Sequence, residues 1–139
     1  MNFVTDRTRE DVLLGTPKGT YGREDLNRVE QAVRELAVLA QKLDVSCTLQ
    51  IKTDWGLPGL FSADQWPTAE QMQRYLSNVH RLCTALEVAM ALPHTMEKLT
   101  WQGANQIEQA LQAAHTRVQN ILQVFQFSGE LFAGEENCL

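Results

Sequence analysis

A chain of 139 residues with a net charge of −5 and a hydrophobic content of 44% has the size and balance of one globular domain. This composition excludes a wholly disordered chain, and the acids interleaved with the N-terminal Lys and Arg residues leave no basic surface for nucleic acid. No apolar run approaches the roughly 18 residues of a membrane span, so we expect neither nucleic acid nor a membrane as a partner.

The first two predicted helices are separated by a turn. Thr5 or Asp6 is predicted to cap one or two helical turns through Leu13, and a turn rich in Gly and Pro then ends them. We treat residues 1–20 as an N-terminal arm. The next helix, Arg23–Leu43, has apolar residues at steps of three and four, which draw one stripe along it.

A strand and an aromatic loop are predicted next. Ser46–Lys52 alternates apolar and polar residues with a period of two, which is typical of a strand. The following loop contains Trp55, Phe61 and Trp66. Two interpretations are open: these aromatic side chains cover the ends of a helical bundle, or they form an exposed patch that binds another protein.

Two more helices complete the predicted domain. Thr68 and Gln71 match the capping box, and the apolar stripe that follows is stopped by Pro93 at the latest. Thr100 is the predicted N-cap of the last helix, which its apolar stripe predicts to run to about Val124.

The C-terminal segment is the best sequence candidate for a subunit contact. We predict a strand and tail over residues 125–139, pairing with Ser46–Lys52 or with a strand of another protein. The fold class is therefore mainly α, a single domain over residues 1–139. Its expected architecture is a three-helix bundle with a short N-terminal helix and a small two-stranded β element. The contact residues in this segment are Phe125, Phe127, Leu131 and Phe132.

The sequence contains no pattern that indicates catalysis or a cofactor. His80, His94 and His115 are not spaced as helical metal ligands and are interpreted as boundary residues, with a ligand or catalytic role as the alternative. Cys83 lies on an apolar stripe and is interpreted as a core residue. The odd number of cysteines, none in a CxxC pair, favours a reducing compartment. We therefore expect no enzyme, no metal and no cofactor.

Several sequence blocks share one resemblance and together span nearly the whole chain. They are Tyr21–Glu30, Lys52–Trp55, Pro67 and Thr68 with Met72, Tyr75, Leu76, Asn78 and Val79, Met96–Gln102 with Ala104, Asn105, Ile107 and Glu108, and Phe127–Glu130 followed by Ala133–Glu135. These blocks resemble a family of small proteins encoded by phages and prophages of Firmicutes near tail and baseplate genes. The chain departs from the family at Gly22 and Gly103, where relatives have better helix-start residues or an acid, and its turn before the second helix is shorter.

The resemblance implies a structural or assembly protein of a phage particle or phage-derived tail. Its partners would be other virion or tail subunits, with further copies of itself in a homo-oligomer. It would be made in the cytoplasm of the host bacterium and end in the virion. The alternative is a phage-encoded binding module that inhibits or regulates a host protein, for which an acidic helical chain would suit a basic target.

Overall fold

The protein is mainly helical. The computed structural model describes residues 1–45, 49–52, 55–56 and 67–136, and for residues 125–136 it describes the backbone alone. Within these segments there is no strand, and a 3-10 turn at Pro17–Gly19 separates the first two helices. The helices are α1 (Arg9–Leu14), α2 (Arg23–Lys42), α3 (Ala69–Ala85) and α4 (Trp101–Glu136).

The cap of α1 differs from the prediction. Thr8, and neither Thr5 nor Asp6, is the N-cap: its Oγ1 accepts a hydrogen bond from Asp11 N at 3.2 Å. The Asp11 carboxylate accepts in return from Thr8 N at 2.9 Å. The reason is the acid three residues after the cap: this reciprocal pair requires a carboxylate or amide side chain at that position, and of the three candidates only Thr8 has one, in Asp11.

The starts of α3 and α4 confirm the predicted caps. Thr68 Oγ1 accepts from Gln71 N at 3.1 Å, and Gln71 Oε1 accepts from Thr68 N at 2.9 Å, which is the predicted capping box. Thr100 Oγ1 accepts from Gly103 N at 3.0 Å at the start of α4. Pro93 lies beyond the end of α3, because Glu87 already has a left-handed φ of 58°.

Replacing Thr68 with alanine is expected to lower the free energy of unfolding by about 1 kcal/mol, because the amide of Gln71 loses its acceptor. Thr116→Ala is the matched control: Thr116 is exposed within α4, and its change should be within about 0.5 kcal/mol of the wild type. Urea unfolding followed by circular dichroism measures both. Equal effects at the two positions would contradict the capping role.

One apolar core lies between α2, α3 and α4, each of which contacts the other two. The predicted stripes form this core, and Tyr75 of α3 is buried within it. The side chains that are wholly enclosed include Leu36 of α2, Val79 and Leu82 of α3, and Ile107, Leu111 and Val118 of α4.

The three long helices run in the same direction. Glu108, near the start of α4, contacts Arg28 near the start of α2 at 2.7 Å. Arg74, in the first half of α3, contacts Glu30 in the first half of α2 at 2.7 Å. The end of α3 in turn lies beside the middle of α4, where Arg117 donates to the carbonyl of Leu86. The N-terminal ends of all three helices therefore lie at one end of the molecule.

Irregular segments carry the chain back between these parallel helices. Residues 49–52 and 55–56 return along α2, because Lys52 N donates to Glu30 and, further along the chain, Trp55 N donates to Asn27. Residues 90–96 return along α3 in the same way. Two consecutive helices that run parallel need a connection long enough to return to the starting end. Both connections are therefore longer than the about two to eight residues that usually join helices.

Neither predicted β segment is found as a strand in the described chain. Residues 49–52 have no strand, and the N–H and C=O of Gln50 bond the side chain of Asn78; residues 46–48 lie outside the described part. The predicted strand after residue 124 is wrong for residues 125–136, whose backbone continues α4. The apolar spacing there also fits a helix, and Gly129 and Gly134 each cost a helix only about 1 kcal/mol.

Candidate protein-interaction site

A buried cluster of four charged side chains, which we call the arm cluster, joins the N-terminal arm to α2 and α4. It consists of Arg7, Asp25, Arg28 and Glu108. Arg7 donates to Glu108 at 2.6 Å and to Asp25 at 3.2 Å, while Arg28 donates to the same two carboxylates at 2.7 Å each. The Glu108 side chain has 0% exposure, so its charge is held away from water by two guanidinium groups.

The backbone of the arm is also fixed to α4. Asn105 accepts from Arg7 N at 3.1 Å through its Oδ1 and donates to Arg7 O at 2.9 Å through its Nδ2. Val4 N donates to Glu108 Oε1 at 3.1 Å. Because both backbone groups of Arg7 are bonded in this way, the arm has one defined position on α4.

Two tyrosines lie beside the arm cluster. The hydroxyls of Tyr21 and Tyr75 are 2.5 Å apart, and the Arg7 guanidinium lies 5.4 Å from the centre of the Tyr21 ring. Burial raises the pKa of both phenols above the ordinary value, more than their mutual hydrogen bond lowers it for Tyr21. Both therefore remain neutral hydrogen-bonding groups at physiological pH.

Hydrogen bonds fix the charged side chains of the arm cluster in position. Each carboxylate oxygen of Glu108 accepts two hydrogen bonds. Val4 N and Arg28 donate to Oε1, and Arg7 and Arg28 donate to Oε2. Although burial lowers the pKa of Arg28, hydrogen bonds to Glu108 and Asp25 raise it above the ordinary value. With its acceptors occupied, the cluster positions the arm and everything the arm carries.

A second polar cluster, centred on Glu30, fixes residues 49–52 and 55–56. The Glu30 carboxylate accepts from Trp55 Nε1 at 2.6 Å, from Arg74 at 2.7 Å and from Lys52 N at 3.3 Å. The Lys52 ammonium also lies 4.3 Å from the centre of the Trp55 ring. Trp55 is only 7% exposed, so the interpretation of Trp55 as part of an exposed patch is wrong, because Glu30 satisfies its indole within the core.

The arm presents an exposed apolar surface, which we call the α1 patch. It consists of Val12, Leu13 and Leu14, which are 46%, 73% and 77% exposed, and no residue of α1 is buried. An open groove of about 360 Å³ adjoins it, lined by Val12, Leu99 and Trp101 among others. None of the contact residues predicted from the sequence lies in this patch, although three consecutive apolar residues in so short a helix are a signal of it.

The described side chains near the end of α4 are partly exposed. Ile121 and Leu122 are half-buried, and Val124, the last residue of α4 with a described side chain, is 65% exposed. The backbone of four predicted contact residues lies in α4 after this point, namely Phe125, Phe127, Leu131 and Phe132. Phe61 and Trp66 lie outside the described residues.

The predicted core position of Cys83 is confirmed: its thiol is buried, and burial raises its pKa to about 11. His80 and His94 are exposed, and the His115 ring lies 6.3 Å from that of Phe3. Within the described residues no group of three His, Cys, Asp or Glu side chains could hold a metal ion. None of the described helices is long and apolar enough to cross a membrane.

Comparison with known proteins places the chain in no family. No family model matches it, and neither a curated protein nor a solved structure shows significant similarity to it. The described geometry therefore defines the site: two polar clusters fix the arm and residues 49–52 and 55–56, and the α1 patch is exposed.

Proposed function

We propose that this chain is a structural or assembly protein of a phage particle or phage-derived tail, built as a three-helix bundle that acts through contacts with neighbouring subunits in the virion. The α1 patch is the observation that carries the proposal. The resemblance of the sequence blocks to phage tail-region proteins supplies the biological setting, and no residue role is taken from it.

The α1 patch has the properties of a contact surface. Leu13 and Leu14 leave most of their apolar surface in water, and burying a leucine fully against a partner contributes about 1.5–3 kcal/mol. Arg7, on the same arm, is held by the arm cluster and by Asn105. Because the arm is already ordered, it loses less conformational entropy when a partner binds, and this favours binding.

The first test is the content of purified particles. In a host that carries the gene, mass spectrometry of purified particles should find this chain in many copies per particle. A chain that is expressed but absent from the particles would contradict a structural role.

A variant of the α1 patch makes the test specific. Leu13→Asp with Leu14→Asp is expected to reduce incorporation into particles at least tenfold, because each carboxylate would have to leave water at the contact. The control carries the same two charges on exposed sites of α4, Gln112→Asp with Gln119→Asp, and should incorporate normally. If the α1 variant were incorporated normally, the α1 patch would not be the contact surface.

The second candidate is a phage-encoded binding module that inhibits or regulates a host protein. The net charge of −5 favours it, since an acidic surface is attracted to a basic target. Stoichiometry separates the two: an inhibitor is absent from particles and is recovered from infected cells with one host protein.

A further inference from the structure

Helix α1 has one fixed orientation on the surface of the protein. Asp11 faces the following 3-10 turn, where its carbonyl oxygen accepts from Thr16 N at 3.1 Å and its carboxylate accepts from Thr16 Oγ1 at 3.0 Å. Gly19 of that turn lies so close that a Cβ there would be 2.1 Å from the Asp11 carbonyl oxygen. The direction of each side chain of α1 is therefore set before any partner binds.

Leu13 lies at the centre of the outward face of α1. Successive residues of an α-helix are about 100° apart, so the side that faces the 3-10 turn is nearly opposite Leu13. In agreement with this, Leu13 is 73% exposed. By the same spacing Arg9 and Val12 lie on one side of Leu13. Glu10 and Leu14 lie on the other side, and all four of these residues are exposed.

We propose that the occupant of the α1 patch is a second copy of the chain, related to the first by a two-fold axis that runs parallel to α1 and passes beside Leu13. The proposal rests on the proposed function, in which copies of the chain assemble, and it names the neighbour that the α1 patch binds. This axis turns the two outward faces towards each other and brings Leu13 of one copy against Leu13 of the other. The same residues are used in both copies, so the contact closes on itself.

The charges of α1 are complementary to themselves in this arrangement. The axis places the side of Leu13 that carries Arg9 in one copy opposite the side that carries Glu10 in the other. An arginine therefore meets a glutamate twice, and such complementary charges favour one pairing and fix its register. A two-fold axis perpendicular to α1 would instead place Arg9 on the same side as the partner's Arg9 and lose both pairs.

The apolar side chains match in the same way. Val12 borders the groove beside the α1 patch, whose walls include Leu99 and Trp101. In the two-fold arrangement Leu14 of one copy, which is 77% exposed, lies on the side of Val12 and this groove in the other copy. Each copy therefore offers an apolar surface to an exposed leucine of the other.

The size of the contact predicts a weak, reversible dimer. A stable interface takes about 20–30 residues from each partner. Helix α1 has six residues, and with the groove beside it provides fewer than that. In a particle many copies lie side by side, so weak contacts of this kind act together.

Analytical ultracentrifugation of the purified full chain tests the pairing. The wild type should show a monomer–dimer equilibrium between about 10 μM and 1 mM. Leu13→Asp should raise the dissociation constant about 100-fold, because two carboxylates would leave water together at the axis. Gln112→Asp, at an exposed position of α4, is the control and should dimerise like the wild type.

Folding should not change in these variants, because no residue of α1 is buried and Gln112 is exposed. Urea unfolding checks this. A wild type that is still monomeric at about 1 mM, or a Leu13→Asp variant that dimerises normally, would overturn the inference.

A charge exchange tests the direction of the axis. Arg9→Glu should weaken the dimer about tenfold, because two glutamates then meet on each side of the axis. Adding Glu10→Arg should restore the affinity, since the two charges are then exchanged and pair again. If the combined variant were as weak as Arg9→Glu alone, Arg9 and Glu10 would not meet across the interface, and the proposed axis would be wrong.

These measurements use the chain alone, so they separate the dimer from the proposed function. A dimer that is absent from particles would contradict the proposed function and support the pairing. If the wild type were a monomer while Leu13→Asp with Leu14→Asp was lost from particles, the α1 patch would bind a different subunit, and the inference would be overturned.

Discussion

Replacing Glu108 with alanine is expected to lower the free energy of unfolding by about 3–5 kcal/mol. The substitution leaves Arg7, whose side chain is buried, without its shortest ion pair, and Arg28 without one of its two partners. A buried guanidinium without a carboxylate retains its full desolvation cost. Equilibrium unfolding in urea, followed by tryptophan fluorescence, measures the change.

Two further variants make this result interpretable. Gln109→Ala, at the next and exposed position of α4, should change stability by less than about 0.5 kcal/mol. Removing the charge of Arg7 as well, in Arg7→Met with Glu108→Leu, should recover part of the loss, because no unpaired guanidinium remains at Arg7. A double variant that is less stable than Glu108→Leu alone would contradict the account of the arm cluster.

Replacing Trp55 with alanine is expected to lower the free energy of unfolding by about 3–5 kcal/mol. The indole is buried, so its loss leaves a cavity, and Glu30 loses the donor at 2.6 Å that helps to satisfy its carboxylate. Thermal and urea unfolding measure the effect on the isolated protein, with no partner present.

The matched control for Trp55 is an exposed apolar side chain. Val38 of α2 is 50% exposed, and Val38→Ala should be close to neutral. If Trp55→Ala were equally neutral, the indole would not be part of the core, and the interpretation of Trp55 as part of an exposed patch would be supported instead.

The helices were predictable because their signals are local. The stripe of α2 and the capping box at Thr68 and Gln71 each need only residues within a few turns of one another. The failed β predictions have a local cause as well. An apolar segment interrupted by Gly129 fits either a strand or a weakened helix, and only the continuous geometry of α4 decides between them.

The polar clusters were not predictable because their members are far apart in sequence. Arg7 and Glu108 are separated by 101 positions, and Glu30 and Arg74 by 44. Nothing near Glu108 in the chain distinguishes it from a solvated glutamate, since its partners come from the arm and α2. Periodicity identifies which face of a helix is buried. It does not identify which charged residues on that face form ion pairs, or with which partners.

The common direction of α2, α3 and α4 gives the molecule two unlike poles. The arm and the α1 patch lie at the pole where the helices begin, and α4 ends at the other. Because the 36 residues of α4 span about 54 Å, a neighbour bound at the α1 patch would lie far from the C-terminal end of that helix. Contacts made at the two poles can therefore involve different neighbours at the same time.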